Sequence, residues 1–361
     1  MVLVQCLLWV ALCVCQAVAG RCPKECSCNR KPPINRTEVD CYRQGLKTMP
    51  PRLPEDSWVL RMGQNLLQTL PAKLLQGMPH TESINFEHNI IRSIHPRAFS
   101  GASQLILVNL HGNQLARLPL KAFQGLTRLR FLMLGQNRFS SIKPGAFSGL
   151  HNLSDLDMPQ NALTSLPPNV FQALTALRIM DLAFNKIQKI SSKSFTGLDK
   201  LYFLNLDHNS IADIPPGTFQ PLSSLQVLIL DNNLLSTITA ASFEGLSNLQ
   251  ELYVRNNGFG KLPKDIFKYT PKITQLALSG NKLKSMDGTS LLQLAGLREI
   301  FLHDNPWSCD CRMKTFLHWL SQSKANLSPI GALRCVSPHR NKGRPLSSLT
   351  GAELQCKAKG S

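Results

Sequence analysis

The sequence predicts a curved α/β solenoid, shaped like a horseshoe, with a parallel β-sheet on its concave face and a disulfide-bonded cap at each end. Three observations lead to this prediction. The middle of the 361-residue chain repeats every 24 residues, it contains no cysteine between Cys41 and Cys309, and beyond residue 20 four cysteines lie on each side of it. A period of this length is typical of solenoids, in which each repeat packs only against its neighbours.

An asparagine marks each repeat. Eleven asparagines stand 24 residues apart, and variants of the pattern L-x-x-L-x-L-x-x-N end at them, as in Leu129 to Asn137. Ten residues after eight of these asparagines comes a phenylalanine, and Leu75 and Leu291 take this position in the outer repeats. The asparagines are Asn65, Asn89, Asn113, Asn137, Asn161, Asn185, Asn209, Asn233, Asn257, Asn281 and Asn305, and the phenylalanines are Phe99, Phe123, Phe147, Phe171, Phe195, Phe219, Phe243 and Phe267.

Each repeat is expected to form one turn of the solenoid. Residues five and three before the asparagine, such as Leu132 and Leu134, point inward from a short strand. The asparagine amide both donates and accepts, so it can satisfy backbone groups of adjoining turns at the bend. The phenylalanines form a second column on the outer side, which is bulkier than the strands and makes the stack bend. Eleven strands about 4.8 Å apart give an inner sheet on the order of 50 Å long.

The two ends of the chain predict secretion and capping. Residues 1–20 carry no charge, contain an apolar run from Leu3 to Val14 and end in small residues, as a secretory signal peptide does. A membrane anchor is the alternative, for which the run is short. We expect an N-terminal cap over 21–57, repeats over 58–305, a C-terminal cap over 306–356 and a short basic tail over 357–361. In the oxidising compartment of a secreted protein, disulfides are favoured over metal ligation for the eight cap cysteines.

Composition and motifs exclude several functions. The chain has 40 Lys and Arg against 22 Asp and Glu, a formal net charge of +18, which attracts polyanions. A secreted protein does not meet nucleic acid as its partner, and the signal peptide predicts no insertion of the mature chain into a membrane. The sequence has no Gly-rich phosphate loop, no H-E-x-x-H and no G-x-S-x-G, and its histidines are scattered. We therefore expect no enzyme activity, no catalytic or metal site and no cofactor.

The cap motifs and the uniform repeat resemble those of a known family. The caps contain Cys22-Pro23-Lys24-Glu25-Cys26-Ser27-Cys28 and Asn305-Pro306-Trp307-Ser308-Cys309-Asp310-Cys311. With the repeats between them, these motifs resemble the extracellular leucine-rich repeat proteins of the small leucine-rich proteoglycan family. Receptors of the Nogo-receptor type share both caps, so a receptor-like role stays open. The resemblance implies collagen as a partner and the disulfides Cys22–Cys28, Cys26–Cys41, Cys309–Cys335 and Cys311–Cys356.

The concave face is the predicted protein-binding surface. Residues six, four and two before each repeated asparagine should point into it, and eight of these 33 positions are acidic whereas two are Arg. Asp157 and Asp181 should be neighbours in one column, and Asp207 and Asp231 in another, although like charges side by side are destabilising. The alternative is that these aspartates are solvated consensus residues. The predicted binding residues are Asp155, Asp157, Asp181, Asp207, Asp231, Phe131, Ile179, Phe203 and Tyr253.

A basic loop and three sequons are further candidate sites. The loop between two cap cysteines contains His339, Arg340, Lys342 and Arg344, which could bind a sulfated glycosaminoglycan, or simply be solvated. The Asn-x-Ser/Thr sequons begin at Asn35, Asn152 and Asn326 and predict surface sites for N-linked glycan.

These features predict a secreted, extracellular-matrix protein. It would bind collagen or another matrix protein on its concave face and mediate adhesion between matrix and cells through a cell-surface receptor. The alternative is a soluble or receptor-like recognition module that binds another secreted or cell-surface protein in neuronal or immune signalling.

Overall fold

The computed structural model describes residues 21–329, 333–351, 353, 354 and 356. The predicted signal peptide over 1–20 and the basic tail over 357–361 lie outside the described residues. Within them, fourteen strands form one sheet and four further strands form two small sheets of two strands each. The chain is a curved leucine-rich repeat solenoid, as the repeat predicts.

The large sheet runs the length of the solenoid. Eleven of its strands come from the repeat, and neighbouring repeat strands pair in parallel with matching positions side by side. The caps extend this sheet, with two strands at the N-terminal end and one at the C-terminal end. Its strands are Ser27–Lys31, Arg36–Asp40, Ser57–Arg61, Ser83–Asn85, Leu107–Asn109, Phe131–Met133, Asp155–Asp157, Ile179–Asp181, Phe203–Asn205, Val227–Ile229, Glu251–Tyr253, Gln275–Ala277, Glu299–Phe301 and Asn326–Ser328.

The outer side is built mainly from turns, so helices are a small part of the described chain. The two small parallel sheets pair Thr69–Leu70 with Ser93–Ile94 and Ser165–Leu166 with Lys189–Ile190. The α-helices are Gly288–Leu291 and Lys314–Gln322, and the 3₁₀ helices are Ala240–Phe243, Cys311–Met313, His339–Asn341 and Leu346–Ser348.

The repeated asparagines tie each turn to the one before it. Asn161 is typical: its Oδ1 accepts the backbone N–H of Phe139 at 3.1 Å, and its Nδ2 donates to the carbonyl of Leu134 at 3.0 Å, both in the preceding turn. The same Nδ2 also donates to the carbonyl of Met158 in its own turn at 3.2 Å. Such amides are buried, so each one satisfies backbone groups that no strand reaches.

A second feature of the bend is backbone in the left-handed region. The residue just before each repeated asparagine has φ between +49° and +68° in all eleven turns, and only Gly112 and Gly280 among them are glycine. An L-residue in this region costs about 1–2 kcal/mol. Its N–H gains a backbone bond to the next turn, as His88 N–H does to the His111 carbonyl at 2.8 Å. The bend therefore turns these side chains toward the rim of the concave face.

Aromatic packing holds the outer side and the C-terminal cap. Four pairs of consecutive phenylalanines stack with ring centroids 5.8 to 6.4 Å apart, as in Phe171 on Phe195. In the cap, Phe316 of the helix Lys314–Gln322 stacks on the buried Trp307 at 6.4 Å, which covers the last turn of the core. Disulfides join Cys22 to Cys28, Cys26 to Cys41, Cys309 to Cys335 and Cys311 to Cys356, in the pairing that the resemblance implies.

Candidate protein-binding surface

Each repeat strand presents two side chains to the concave face. In a typical three-residue strand the side chain of the central residue is buried in the core. The side chains of the first and third residues are half-buried on the concave face of the sheet. Phe131, Ile179, Phe203 and Tyr253 all occupy such half-buried positions. The sheet therefore offers a continuous wall whose chemistry is set by two positions of every repeat.

The middle of this wall combines apolar and acidic side chains. Asp155 lies between Phe131 and Ile179 in the strand register, and Ile179 in turn lies beside Phe203. In the parallel column, Asp157 lies directly beside Asp181. We call the group formed by Phe131, Met133, Asp155, Asp157, Ile179, Asp181, Phe203 and Asn205 the central patch.

The two neighbouring carboxylates of the central patch have no basic side chain in an ion pair with them among the described residues. Burial raises the pKa of both carboxyl groups, and the charge of Asp181 raises the pKa of Asp157 further. The Oδ1 atom of Asp157 is buried and accepts no hydrogen bond from the described chain. Asp181 Oδ1 accepts the Ala183 N–H at 2.8 Å. The pair therefore lacks a cation, and the half-buried face that the two side chains present to the concave side favours one from outside the chain.

A glycine makes room for one of these carboxylates. A Cβ atom at Gly135 would lie 2.8 Å from Asp157 Oδ1 and 2.8 Å from His111 Nδ1. Gly135 is not in the left-handed region, so the close approach of its neighbours, and not its backbone conformation, requires glycine. The charge of His111 lowers the pKa of Asp157 and so opposes the effect of burial.

The other predicted acidic column is organised differently. Asp231 is 3% exposed, and its Oδ2 accepts from Arg255 Nε at 2.7 Å and forms an ion pair with the same guanidinium at 2.6 Å. Asp207 accepts from Asn232 Nδ2 at 2.9 Å and lies 2.9 Å from His208 Nδ1. The chain itself thus encloses the Asp231 carboxylate, which leaves little of this predicted binding residue exposed on the concave face.

The repeat contained the information for that ion pair. Asp231 and Arg255 occupy the same position of neighbouring repeats, two residues before Asn233 and Asn257, so they must lie side by side. Nearby, the hydroxyl of Tyr253 donates to Glu251 Oε2 at 2.8 Å, and the Arg255 guanidinium lies 5.3 Å from the Tyr253 ring. Tyr253 thus belongs to an internally paired region and lies away from the central patch.

Two rim residues were missed by the sequence analysis. Phe184 is 47% exposed, and its ring stacks on that of His208 at 4.3 Å. Both residues stand just before a repeated asparagine, in the left-handed conformation that turns them to the rim. Their shared position could have revealed the stack. Along the chain, Leu206 and Asp207 stand between His208 and Asn205 of the central patch.

A hollow of about 550 Å³ lies on the concave face on the N-terminal side of the central patch and shares Met133 with it. Its other lining residues are mainly polar, and include Tyr42, Arg61, Asn85 and Glu87. Among the described residues no group of three or more His, Cys, Asp or Glu side chains is placed to hold a metal ion. The concave face is thus an open, partly acidic wall suited to contact with a macromolecule.

The predicted basic loop lies at the surface of the C-terminal cap. His339, Arg340 and Lys342 are exposed, whereas Arg344 forms an ion pair with Glu353 at 2.6 Å. Of the sequon asparagines, Asn35 lies in the turn between the first two strands and Asn326 in the last strand, and both are exposed. Asn152 is also exposed, but its Nδ2 donates to the Thr127 carbonyl at 2.8 Å.

Comparison with known proteins decides the family. The leucine rich repeat sequence pattern matches residues 59–115, 103–163, 156–211, 200–259 and 247–306, which together cover more than half of the chain. The chain belongs to the leucine-rich repeat family. No helix among its described residues is long and apolar enough to cross a membrane.

Several curated leucine-rich repeat proteins are similar to part of this chain. The chondroadherin-like protein of Homo sapiens is 36% identical over 95 residues, which are 26% of this chain and 12% of that protein. Keratocan of Bos taurus is 33% identical over 95 residues, 26% of each chain. The sequence motifs resemble those of chondroadherin, and the matches to chondroadherin-like protein and keratocan confirm a resemblance to extracellular leucine-rich repeat proteins over a quarter of the chain. The first relatives are matched over only 12% to 36% of their lengths.

A solved structure is similar over nearly the whole repeat protein. It is a chain of the octameric complex of Latrophilin 3, Unc5D and FLRT2, where FLRT2 is represented by its LRR part. The similarity has a TM-score of 0.77 at 25% sequence identity and covers 93% of this chain and 100% of that chain. This leucine-rich repeat protein therefore shares its solenoid with a chain that takes part in a multi-protein assembly.

Proposed function

We propose that this leucine-rich repeat protein is a secreted extracellular-matrix protein that binds another matrix protein through its central patch, with collagen as the leading partner. It acts as a binding module and catalyses no reaction. The observation that carries the proposal is the pair Asp157 and Asp181, two half-buried carboxylates without a basic partner beside a half-exposed apolar column. Apolar surface next to unpaired charge is typical of protein interfaces.

Collagen fits this surface chemically. Its triple helix is a straight rod of extended chains whose side chains, including Lys and Arg, point to solvent. An ammonium or guanidinium group next to Asp157 and Asp181 would remove the unfavourable pairing of the two carboxylates, and Phe131 and Ile179 would cover apolar parts of the rod. Four disulfides support an extracellular location. The similarity to chondroadherin-like protein and keratocan supports the matrix role.

The test measures binding of the double variant Asp157→Asn, Asp181→Asn to immobilised triple-helical collagen at several salt concentrations. We expect about a tenfold loss of affinity at low salt and a flatter salt dependence, because exposed charge pairs add modestly and are screened by salt. The matched control is Asp199→Asn, Asp213→Asn, which removes the same charge from exposed positions outside the concave face. Equal affinity of the patch variant and the parent protein at low salt would refute the role of the patch.

The same experiment separates collagen from another protein partner. If the parent protein does not bind collagen but binds cells that display surface receptors, and the patch variant loses this binding, the protein is a receptor-like recognition module. Adhesion of cells to surfaces coated with this protein, alone and together with collagen, tests the bridging role. We further propose glycan at Asn35 and Asn326, which mass spectrometry of secreted protein would detect.

A further inference from the structure

The positive charge of this protein collects on one side of the solenoid. The first eight residues after each repeated asparagine lead from the concave sheet to the outer phenylalanine column, and we call this side over the first six turns the basic flank: residues 66–73, 90–97, 114–121, 138–145, 162–169 and 186–193. It contains ten Lys and Arg and no Asp or Glu. The ten are Lys73, Arg92, Arg97, Arg117, Lys121, Arg138, Lys143, Lys186, Lys189 and Lys193.

These residues form one continuous surface. Backbone hydrogen bonds join the same or adjacent positions of successive turns along this side, as in Arg92 N–H to the Gln68 carbonyl at 2.9 Å and Lys186 N–H to the Leu163 carbonyl at 2.9 Å. All ten basic side chains are exposed, and none of them forms an ion pair with a carboxylate among the described residues. With turns about 4.8 Å apart, six turns make a strip roughly 25 Å long.

The opposite side of the same six turns is nearly balanced in charge. The segments that return from the phenylalanine column to the sheet carry Arg128, Arg130, Arg178 and Lys200 against Glu82 and Asp199. The concave face between the two sides contains the unpaired Asp157 and Asp181. Positive charge is therefore concentrated on one side of these turns and negative charge on the adjacent concave face. The resulting electrostatic field attracts an anionic partner to the basic flank.

The basic flank also has a groove. Between the third and fourth turns, Arg117 and Lys143 line a groove of about 640 Å³ together with Ser140 and Ser141. Two more basic residues stand close by in the sequence: Lys121 directly follows the lining residue Leu120, and Arg138 stands two residues before the lining residue Ser140. Sulfate oxygens accept hydrogen bonds from guanidinium, ammonium and hydroxyl groups. Hydrogen bonds between a cationic donor and an anionic acceptor are stronger than those between neutral groups.

We propose that the basic flank binds a linear sulfated glycosaminoglycan, which lies along the solenoid and enters this groove. The shape of the charge favours a chain over a membrane, because the ten cations follow the solenoid in a narrow strip next to an acidic face. The disulfide-bonded caps point to an oxidising, extracellular compartment, where sulfated glycans are the linear polyanions. This site is distinct from the basic loop around Arg340 and from the central patch, so both partners could be bound at once.

Immobilised heparin is the probe, at about physiological salt. The flank variant carries Arg117→Ala, Lys121→Ala, Arg138→Ala and Lys143→Ala. The control variant removes the same charge from the opposite side with Arg128→Ala, Arg130→Ala, Arg178→Ala and Lys200→Ala. All eight residues are exposed, so both variants should fold, which circular dichroism checks. We expect the flank variant to lose about tenfold or more in affinity and the control variant less than about threefold.

Three results would overturn the inference. Equal losses in the flank and control variants would mean that only net charge matters. A loss with Arg340→Ala, Lys342→Ala but not with the flank variant would place the glycan on the C-terminal cap. Unchanged heparin binding of the flank variant, with lost binding to phosphatidylserine vesicles, would make the flank a membrane surface. The patch variant Asp157→Asn, Asp181→Asn should keep its heparin affinity, so failure of the collagen proposal would leave this one standing.

Discussion

The two acidic columns of the concave face differ in what surrounds their carboxylates. Asp157 and Asp181 lie side by side in the central patch, and burial raises the pKa of both without an ion pair. Asp231 is more deeply buried, but Arg255 of the next turn encloses it. Burial raises the pKa of Asp231 as well, but there a guanidinium of the chain lowers it in part. At Asp157 and Asp181 the chain supplies hydrogen bonds, such as Ala183 N–H to Asp181 Oδ1 at 2.8 Å, but no basic side chain in an ion pair among the described residues, so a partner can supply that charge.

Removal of Arg255 should have the largest effect on stability. Arg255→Ala leaves the buried Asp231 carboxylate without its guanidinium partner and should lower the free energy of unfolding by about 2 kcal/mol. Chemical denaturation measures this. The double variant Arg255→Ala, Asp231→Asn should recover part of the loss, because the buried charge is then gone. A single variant as stable as the parent protein would mean that Asp231 does not depend on Arg255.

The next largest effect on stability is expected from a substitution of Gly135, because any side chain there would crowd Asp157. The methyl group of Gly135→Ala would meet Asp157 Oδ1 and His111 Nδ1, so both must move, at a cost of about 1–2 kcal/mol. The same variant should weaken binding of the partner, because Asp157 is displaced. Gly260→Ala is the control, since no atom lies within 4 Å of its added methyl group. Equal stability of the two variants would show that the space above Gly135 is not occupied.

The smallest effect is a stabilisation. Because the folded pKa of Asp157 is raised, the chain loses stability as pH rises through that pKa, and the unfavourable charge is fully present at neutral pH. Asp157→Asn should therefore raise the free energy of unfolding by about 0.5 kcal/mol at pH 7.

The gain should shrink as the pH falls through the raised folded pKa and should be small below about pH 4, where the carboxyl group is protonated in both states. Thermal unfolding between pH 3 and pH 7 measures it, with Asp199→Asn, an exposed aspartate of the side facing away from the basic flank, as the control. A variant that is less stable than the parent protein at pH 7 would show that Asp157 is compensated after all.

The fold was predictable because its determinants are periodic. A 24-residue interval brings Asn137 beside Asn161 without knowledge of any angle, and the phenylalanine interval places Phe171 beside Phe195 in the same way. The repeat also contained the information for two side-chain contacts that were not predicted. Asp231 and Arg255 share one repeat position, and so do Phe184 and His208, so the same interval predicts both contacts.

The candidate sites were less predictable, because they depend on which side chains point the same way. The basic loop in the C-terminal cap stands out in the sequence, but its Arg344 proves to be paired with Glu353. The larger accumulation, on the basic flank, is spread over six turns and becomes visible only when the turns are stacked. The left-handed backbone at Phe184 was, by contrast, recoverable, because Gly112, Asn232, Asn256 and Gly280 take the same position in other repeats.

The order of the amino acids by itself determined the number of turns, the inward leucines and the asparagine bends, since interactions between neighbouring repeats need only a regular interval. Tertiary structure alone decided how deeply each carboxylate is buried, which carboxylates remain open and on which side the cations gather. The physical reason is that charge compensation depends on distances of a few ångströms and on burial, and both arise only once the turns lie against one another.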